Sequence, residues 1–363
     1  MTHKKTVCFF NSNRAWGGGE KWHFNTAKDL AHRGHKTFLV TNVASELEKK
    51  ASKESVLFYP FRVSNLSFLN PLKILLIASF FFTKKVDALI LNLPSDLKLA
   101  GVAAKIAGVK KIIYRRGMPH PLRNTALNRF LFKNVLTHII VNSKEVERSL
   151  VEGNESWFPK EKIFLLHNGV DTQIPLFSER KLYQKNPNEV VIGNAGRLTE
   201  QKGQKYLIEM ASILKSQNLN FQLLIAGEGE LRTTLAQEIK KQGLDNEVKL
   251  LGHVDDMPAF LNSLDIFVFP SLFEGSANTL IETLHHRIPT VAFNLSSNPE
   301  IIEDGKNGFL TEPKNAQDLA NSVKRLIDSP ELMETFKNNG DATIRGKFDS
   351  RKNLDRLEGL LNG

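Results

Sequence analysis

The sequence has few of the features of a secreted, disulfide-bonded or membrane-spanning protein. Its 363 residues include one cysteine, Cys8, which cannot form an internal disulfide and suits a reducing compartment. The longest apolar run, Ile74 to Phe82, is too short to span a bilayer. The polar start, Met1 to Lys5, is followed by an apolar run that is too short for a signal peptide. We therefore expect a cytoplasmic protein.

Several common cofactor and catalytic motifs are also missing. Gly17-Gly18-Gly19 is not Gly-x-Gly-x-x-Gly, no acidic ribose ligand follows at dinucleotide spacing, and no Gly-Lys-Ser/Thr completes a Walker loop. No Gly-x-Ser-x-Gly elbow is present. The histidines lack zinc spacing, and the adjacent His285 and His286 cannot both face one ligand on a helix. These observations argue against dinucleotide, Walker-type, serine-hydrolase and zinc sites.

Charge is distributed unevenly along the chain. The net charge is +10, but residues 1–173 hold 27 Lys and Arg against 13 Asp and Glu, a net +14. The rest of the chain holds 22 against 26, a net −4. Such asymmetry, in a chain long enough for two domains, indicates two domains with different partners. No basic motif interleaved with aromatic residues supports nucleic-acid binding.

Short apolar segments alternate with helical patterns twice along the chain, which predicts two doubly wound parallel sheets of the α/β class. The strands predicted in the first half are Thr6 to Phe10, Thr37 to Thr41, Val56 to Phe61, Ala88 to Leu93, Lys110 to Tyr114, His138 to Val141 and Ile163 to Leu166. Those predicted in the second half are Val190 to Asn194, Phe221 to Ala226, Val248 to Leu251, Ile266 to Phe269, Thr290 to Phe293 and a short one at Phe309-Leu310.

The predicted boundaries follow the change in pattern. Residues 1–173 form the first domain, and 174–189 are a polar linker with Pro175 and Pro187 and no clear period. Residues 190–345 form the second domain. A final polar helix within 346–363 closes the chain and could return to the first domain.

The stretch from Phe269 to Glu282 joins a predicted buried strand to a predicted helix. Gly275 permits a tight turn, and Asn278 or Thr279 can cap a helix that ends before Pro289. In open α/β sheets the loop between a strand's carboxyl end and a helix is where ligands bind. Its free N–H groups and the helix dipole attract anions, so this stretch is a candidate ligand site.

Four charged residues favour one class of ligand. Glu274 in the loop and Glu282 on the helix are separated by seven residues, and a carboxylate one turn into a helix suits a pair of sugar hydroxyls. By spacing alone, an ordinary loop carboxylate and a solvated helix position are the favoured interpretation. Arg197 and Lys202 share another strand-to-helix loop, where two cations suit a diphosphate, the alternative being solvated loop charges. A nucleoside diphosphate sugar would satisfy all four groups.

These motifs resemble those of the large family of retaining GT-B glycosyltransferases, family 4-like or group 1, that includes sucrose synthase and bacterial mannosyl- and glucosyltransferases. The most specific pieces are Gly196-Arg197-Leu198 with Lys202-Gly203, Pro270 to Glu282, and Asn168-Gly169-Val170-Asp171. The resemblance implies two Rossmann-like domains that face a cleft, with the donor held mostly by the second. It also implies retaining transfer to a glycan or lipid-linked acceptor in the synthesis of surface polysaccharide or lipopolysaccharide.

The resemblance also implies roles for single residues. Glu274 would face the donor sugar, while Arg197 and Lys202 would bind the diphosphate and stabilise it as the leaving group. Glu282 would bind the ribose hydroxyls. The other donor-binding positions are Gly196, Gly252, His253, Val254, Gly275, Ser276, Ala277, Asn278 and Thr279. On the acceptor side stand Gly18 and Gly19, with either arginine of Arg115-Arg116 or His120 in place of the family's histidine.

The resemblance leaves other features open. Ala277 replaces the proline of the Glu-Gly-x-Pro-Asn variant, so the donor sugar stays undefined. No Asp-x-Asp indicates a metal site, and no cofactor is expected besides the donor, with UDP as the expected nucleotide. The alternatives are a GT-B phosphorylase or epimerase and a non-catalytic, nucleotide-sugar-binding assembly subunit.

The basic first half predicts docking on the anionic inner face of the cell membrane. For the apolar run Ile74 to Phe82, flanked by Lys73, Lys84 and Lys85, a core-facing helix is the preferred interpretation.

Overall fold

The structure, a computed structural model, describes residues 4–173 and 180–363. By its internal contacts the chain forms two compact units, Met1–Asn168 with Arg351–Gly363, and Gly169–Ser350. Part of the predicted linker, residues 174–179 with Pro175, lies outside the described residues. Each unit contains one open parallel sheet with helices on both faces. The two predicted doubly wound sheets are therefore confirmed.

The first unit has a seven-stranded sheet in the order β3-β2-β1-β4-β5-β6-β7. All its neighbouring strands run parallel. Its central strands are apolar on both faces because helices cover both. The strands are β1 Thr6–Asn11, β2 Lys36–Asn42, β3 Phe58–Phe61, β4 Ala88–Leu91, β5 Lys111–Arg116, β6 His138–Val141 and β7 Ile163–Leu165.

The second unit has a six-stranded parallel sheet in the order β10-β9-β8-β11-β12-β13. Its strands are β8 Val190–Ala195, β9 Phe221–Ala226, β10 Val248–Gly252, β11 Ile266–Phe269, β12 Thr290–Phe293 and β13 Phe309–Thr311. In both sheets the strand order reverses beside the first strand, between β1 and β4 and between β8 and β11. Such switch points open a crevice at the carboxyl ends of the strands, where ligands bind.

The helices follow the strands in the predicted alternation. Those of the first unit are α1 Gly18–His32, α2 Glu46–Lys53, α3 Pro71–Thr83, α4 Pro94–Asp96, α5 Val102–Ile106, α6 Ala126–Phe130 and α7 Lys144–Val151. Those of the second unit are α8 Gln204–Ser216, α9 Arg232–Lys241, α10 Met257–Leu261, α11 Asn278–His285, α12 Ala316–Ile327 and α13 Pro330–Lys347. The last helix, α14 Ser350–Asn362, buries Leu357 and Leu361 in the core of the first unit beside Phe24 and Leu30.

One prediction about helices was wrong, and another was confirmed only in part. Neither Asn278 nor Thr279 caps α11, because Ala277 is the N-cap and Asn278 already lies in the first turn. The apolar run at α3 is only half core-facing. Ile77 and Phe81 are buried, whereas the side chains on the other side of the helix are exposed.

Candidate active site

The loop after β8 carries Arg197 and Lys202 and reaches the switch point of the second sheet. Gly203, with φ +67°, ends this loop and precedes α8. A Cβ at Gly203 would lie 2.1 Å from the carbonyl oxygen of Pro270, at the end of β11. Only glycine allows the two loops to pass this close. Arg197 is exposed, and its backbone carbonyl accepts a hydrogen bond from Nε2 of Gln204 at 3.0 Å.

Lys202 and Glu274 form an ion pair across this switch point. Lys202 Nζ lies 2.6 Å from Oε1 of Glu274, and the hydroxyl of Ser271 donates to the same oxygen at 2.6 Å. Only 17% of the Lys202 side chain and 9% of the Glu274 side chain are exposed. Charge-assisted bonds are strong in such partly desolvated surroundings. Within the described parts of the chain, Oε2 of Glu274 accepts no hydrogen bond.

The loop that holds Glu274 is fastened on both sides. The Ser296 hydroxyl accepts from the Glu274 N–H at 3.1 Å and donates to the Glu274 carbonyl at 2.6 Å. Gln201 donates through Nε2 to the Phe273 carbonyl at 2.5 Å, and the backbone carbonyl of Gln201 accepts from the Leu272 N–H. These bonds hold the carboxylate in place before any ligand arrives. Sequence analysis missed Ser296 because the loop after β12 carries no motif.

The other donor-side predictions fall on neighbouring loops of the same sheet. Glu282 is half-buried on the second turn of α11. Gly252, with φ +75°, ends β10, and its carbonyl accepts from the Gly227 N–H at 2.7 Å, which joins the loops after β9 and β10. His253 is exposed and lies 3.1 Å from a carboxylate oxygen of Asp255. The roles of these residues remain predictions.

In the first unit, a buried carboxylate lies behind the glycine loop at the switch point. Oε1 of Glu20 accepts amide hydrogen bonds from Asn11 at 3.2 Å, Asn13 at 3.0 Å and Asn92 at 3.0 Å. A Cβ at Gly19 would lie 2.8 Å from the Asn92 side-chain oxygen. Glu20 therefore ties the ends of β1 and β4 together beneath the loop. The sequence offered a signal, a glutamate after three glycines and asparagines after two strands, but no role was assigned.

The two arginines at the end of β5 have different surroundings. Arg115 is buried, its guanidinium lies 4.5 Å from the Trp22 ring centroid, and it donates to the Asn168 side chain at 3.0 Å. Burial lowers the pKa of Arg115 to about 10, against the opposing charge of Glu20. Arg116 is half-buried and donates to the carbonyl of the exposed His120 at 2.5 Å.

The described residues contain neither a metal-binding cluster nor a membrane-spanning helix. In residues 4–173 and 180–363, no three His, Cys, Asp or Glu side chains are grouped so that they could hold a metal ion. No helix in the same ranges has the length and apolar character needed to cross a bilayer.

Known proteins match both halves of the chain. A model described as Glycosyltransferase Family 4 matches residues 16–174, and one described as Glycosyl transferases group 1 matches residues 177–343. The chain belongs to the group 1 glycosyltransferases.

Relatives and solved structures agree with this assignment. The chain is 29% identical to the Staphylococcus aureus capsular polysaccharide biosynthesis glycosyltransferase CapM over 62% of its own length and 61% of CapM. It is 25% identical to the Escherichia coli UDP-Gal:alpha-D-GlcNAc-diphosphoundecaprenol alpha-1,3-galactosyltransferase, covering 84% and 82% of the two chains. It spans 47 to 61% of the length of three curated relatives that it matches.

The crystal structure of Anabaena Alr3699/HepE in complex with UDP matches with a TM-score of 0.84 at 21% identity, over 98% of this chain and 99% of that one. This likeness shows the fold, so the predicted GT-B class with two Rossmann-like halves is confirmed.

One motif of this chain has a structural role that sequence analysis did not recognise. A Cβ at Gly169 would lie 2.6 Å from the Phe348 carbonyl oxygen. The Val170 N–H donates to that carbonyl at 3.0 Å, and the Val170 carbonyl accepts from the Ser350 N–H at 2.9 Å. The Asn-Gly-Val-Asp stretch therefore anchors the chain immediately before α14, and its glycine is needed for close backbone packing.

Proposed function

We propose that this glycosyltransferase moves a sugar from a nucleoside diphosphate sugar, with UDP as the nucleotide, to a glycan or lipid-linked acceptor. We further propose that the anomeric configuration is retained and that no metal is needed. The observation that carries the proposal is the Lys202–Glu274 pair at the switch point of the second sheet. It provides a cation for phosphate and a carboxylate for sugar hydroxyls within one hydrogen bond of each other.

A bound diphosphate would change this pair. Its negative charge would attract Lys202 and the exposed Arg197 of the same loop. The Lys202 ammonium would then bind both the diphosphate and Glu274. Oε2 of Glu274 could then accept from a sugar hydroxyl while Ser271 holds Oε1. As the bond from sugar to phosphate breaks, charge grows on the diphosphate. The two cations therefore stabilise the transition state more than the bound donor.

Retention follows from the part that Glu274 plays in this scheme. Its Oε1 is neutralised by Lys202 and bonded to Ser271, so we assign it to orientation of the sugar rather than to attack on the anomeric carbon. The base for the incoming hydroxyl is then the leaving diphosphate itself, on the same face of the sugar. This differs from the paired carboxylates of retaining glycosidases.

The acceptor class rests on the relatives. CapM is named for capsular polysaccharide biosynthesis, and the E. coli relative is named for transfer to a diphosphoundecaprenol-linked sugar. We propose an acceptor of the same class, a growing surface glycan that includes a lipid-linked one, and action at the inner face of the cell membrane.

The proposal is tested on the purified full chain. A thermal-shift screen with UDP, GDP and ADP sugars should give the largest stabilisation for a UDP sugar, because a ligand that binds only the native state raises its stability. With a lipid-linked acceptor, the protein should then release UDP. NMR of the product should show a retained anomeric centre, and activity should persist in EDTA. Binding without turnover would favour an assembly subunit. Turnover that needs only inorganic phosphate would favour a phosphorylase, and sugar interconversion without an acceptor would favour an epimerase.

A further inference from the structure

A set of large apolar side chains on and before α3 points into solvent. We call these side chains the leucine face: Leu66, Leu69, Leu72, Leu75, Leu76 and Phe82. The side chains on α3 are 75% exposed at Leu72, 55% at Leu75, 58% at Leu76 and 75% at Phe82. Large apolar groups that cluster in this way on a surface mark an interaction site.

The exposure follows from the pattern of α3. Positions 72, 75, 76, 79 and 82 recur at helical spacing and form one stripe on the outside. The opposite stripe, with Ile77, Ala78 and Phe81, packs in the core. A surface helix normally places charged or polar residues opposite its core stripe. Here Ser79 is the one polar residue on the outer stripe between Leu72 and Phe82.

Two other helices of this layer also expose apolar side chains. α5 packs against α3, and Ile106 on α5 is also exposed. α6 carries exposed Leu127 and Phe130, and its continuation, residues 131–135, packs against α5. Exposed apolar side chains are therefore found on three helices of the same layer.

The chain segment that carries α3, α5 and α6 is strongly basic. Residues 55–144 hold 14 Lys and Arg but only 2 Asp and Glu. The two acids face inward or are bonded within the fold. Asp87 accepts from the Thr6 N–H at 2.8 Å, and Asp96 is fully buried and accepts from Ser12 and Leu93. Two lysines flank the leucine face: Lys73 on α3 donates to Ser67, and Lys84 at the end of α3 lies over the Tyr59 ring.

We propose that the leucine face inserts into the headgroup and upper acyl region of an anionic lipid bilayer, with the surrounding lysines and arginines on the lipid phosphates. Apolar side chains on a helix that lies in the interface, flanked by basic residues, are the physical requirements for such binding. The proposal goes beyond electrostatic docking, since it assigns the apolar side chains to the hydrocarbon.

Other occupants fit the surface less well. A second copy of this chain would bring two strongly basic surfaces together, and like charges across an interface oppose association. A nucleic acid would meet the lysines but would leave the leucines exposed to water. The inference rests on the proposed function only in that a lipid-linked acceptor would lie in the same bilayer. Lipid binding can be measured without any donor or acceptor.

Flotation of the full chain with vesicles tests the proposal. Vesicles of phosphatidylcholine with 30% phosphatidylglycerol are compared with pure phosphatidylcholine, at about 0.1 M and 1 M NaCl, where screening removes most long-range attraction. We expect binding to the anionic vesicles, with a measurable part that survives 1 M NaCl. L75S/F82S should weaken binding at least about tenfold, as loss of two inserting side chains predicts. The matched control is L182S/L251S, which replaces two exposed leucines of the second unit.

A second measurement reports insertion directly. L76C places a label on the leucine face, and the single native cysteine, Cys8, is buried and will not compete. An environment-sensitive fluorophore at position 76 should shift to the blue with anionic vesicles and be quenched by brominated acyl chains. Thermal unfolding of every variant checks the fold, and exposed positions should leave the melting temperature within about 2 °C.

Three results would overturn the proposal. One is no flotation with anionic vesicles at low salt. Another is full loss of binding in 1 M NaCl together with no fluorescence shift, which would leave electrostatic docking alone. The third is a dimer in sedimentation that L75S/F82S converts to a monomer, which would make the face a contact between copies. Failure of UDP-sugar turnover would instead count against the proposed function and would leave lipid binding unaffected.

Discussion

Each sheet has a buried carboxylate at its switch point, but the two carboxylates have different partners. In the first unit, Glu20 accepts from three neutral amides, those of Asn11, Asn13 and Asn92. In the second, Glu274 is paired with the ammonium of Lys202 and the hydroxyl of Ser271. Amides at the ends of strands are fixed in place, so Glu20 clamps the fold. A lysine on a flexible stem can be shared with an incoming phosphate, so the second pair suits a ligand site.

The largest effect is expected when the Lys202–Glu274 ion pair is broken. K202A removes a cation from the diphosphate and leaves Glu274 buried without its counter-charge. We expect kcat/KM to fall about 100- to 1000-fold, mainly in kcat, as for loss of one transition-state donor. Steady-state kinetics check this, with K205A as the control, since Lys205 is exposed in the first turn of α8. A rise in KM alone would reduce Lys202 to a binding residue.

Replacement of Glu20 should lower the stability of the fold rather than the turnover. E20A leaves buried amides without their acceptor, and the free energy of unfolding should fall by about 3 kcal/mol. E20Q keeps one acceptor oxygen and should recover part of that loss. Denaturant unfolding of the three proteins provides the comparison. If E20A unfolds like the native chain but loses turnover, Glu20 belongs to the reaction and the contrast with Glu274 disappears.

Glu282 is a further carboxylate of the second unit. It is half-buried, and we assign it to the ribose of the donor. E282A should weaken UDP binding by about 2 kcal/mol, in line with the loss of charge-assisted hydrogen bonds, and should leave the fold intact. Calorimetry with UDP measures the change, with E209A on the exposed side of α8 as control. Equal affinities in native and E282A protein would remove Glu282 from the donor site.

The smallest expected effect is on acid stability. His23 is fully buried near Arg115, and neither ring nitrogen has a partner among the described residues. Burial first, and then Arg115, lower the pKa of His23 well below its usual value. The unfolded chain therefore binds the proton first, so stability is complete above about pH 6.5 and declines as the pH falls below it. H23F should flatten this decline in thermal melts from pH 7.5 to 5. An unchanged slope would show that other groups dominate.

Much of this architecture could be predicted from the sequence alone. Apolar runs of four to six residues, each followed by a helical period, indicate buried parallel strands, and ligand sites lie at the carboxyl ends of such strands. That rule places Lys202 and Glu274, 72 residues apart, on two loops at one edge of a sheet, where they meet at 2.6 Å. The ion pair between them was not predicted, because it depends on β8 and β11 being neighbours in the folded sheet.

Other features depended on the tertiary structure. α3 is apolar on both sides, so its sequence could not tell which side the sheet would cover and which would meet solvent. Glu20 acquired its role because β1 and β4, far apart in the chain, bring three asparagines to one carboxylate. Composition and period describe each segment by itself. Which polar groups converge, and which apolar face stays uncovered, is decided only when segments distant in sequence pack together.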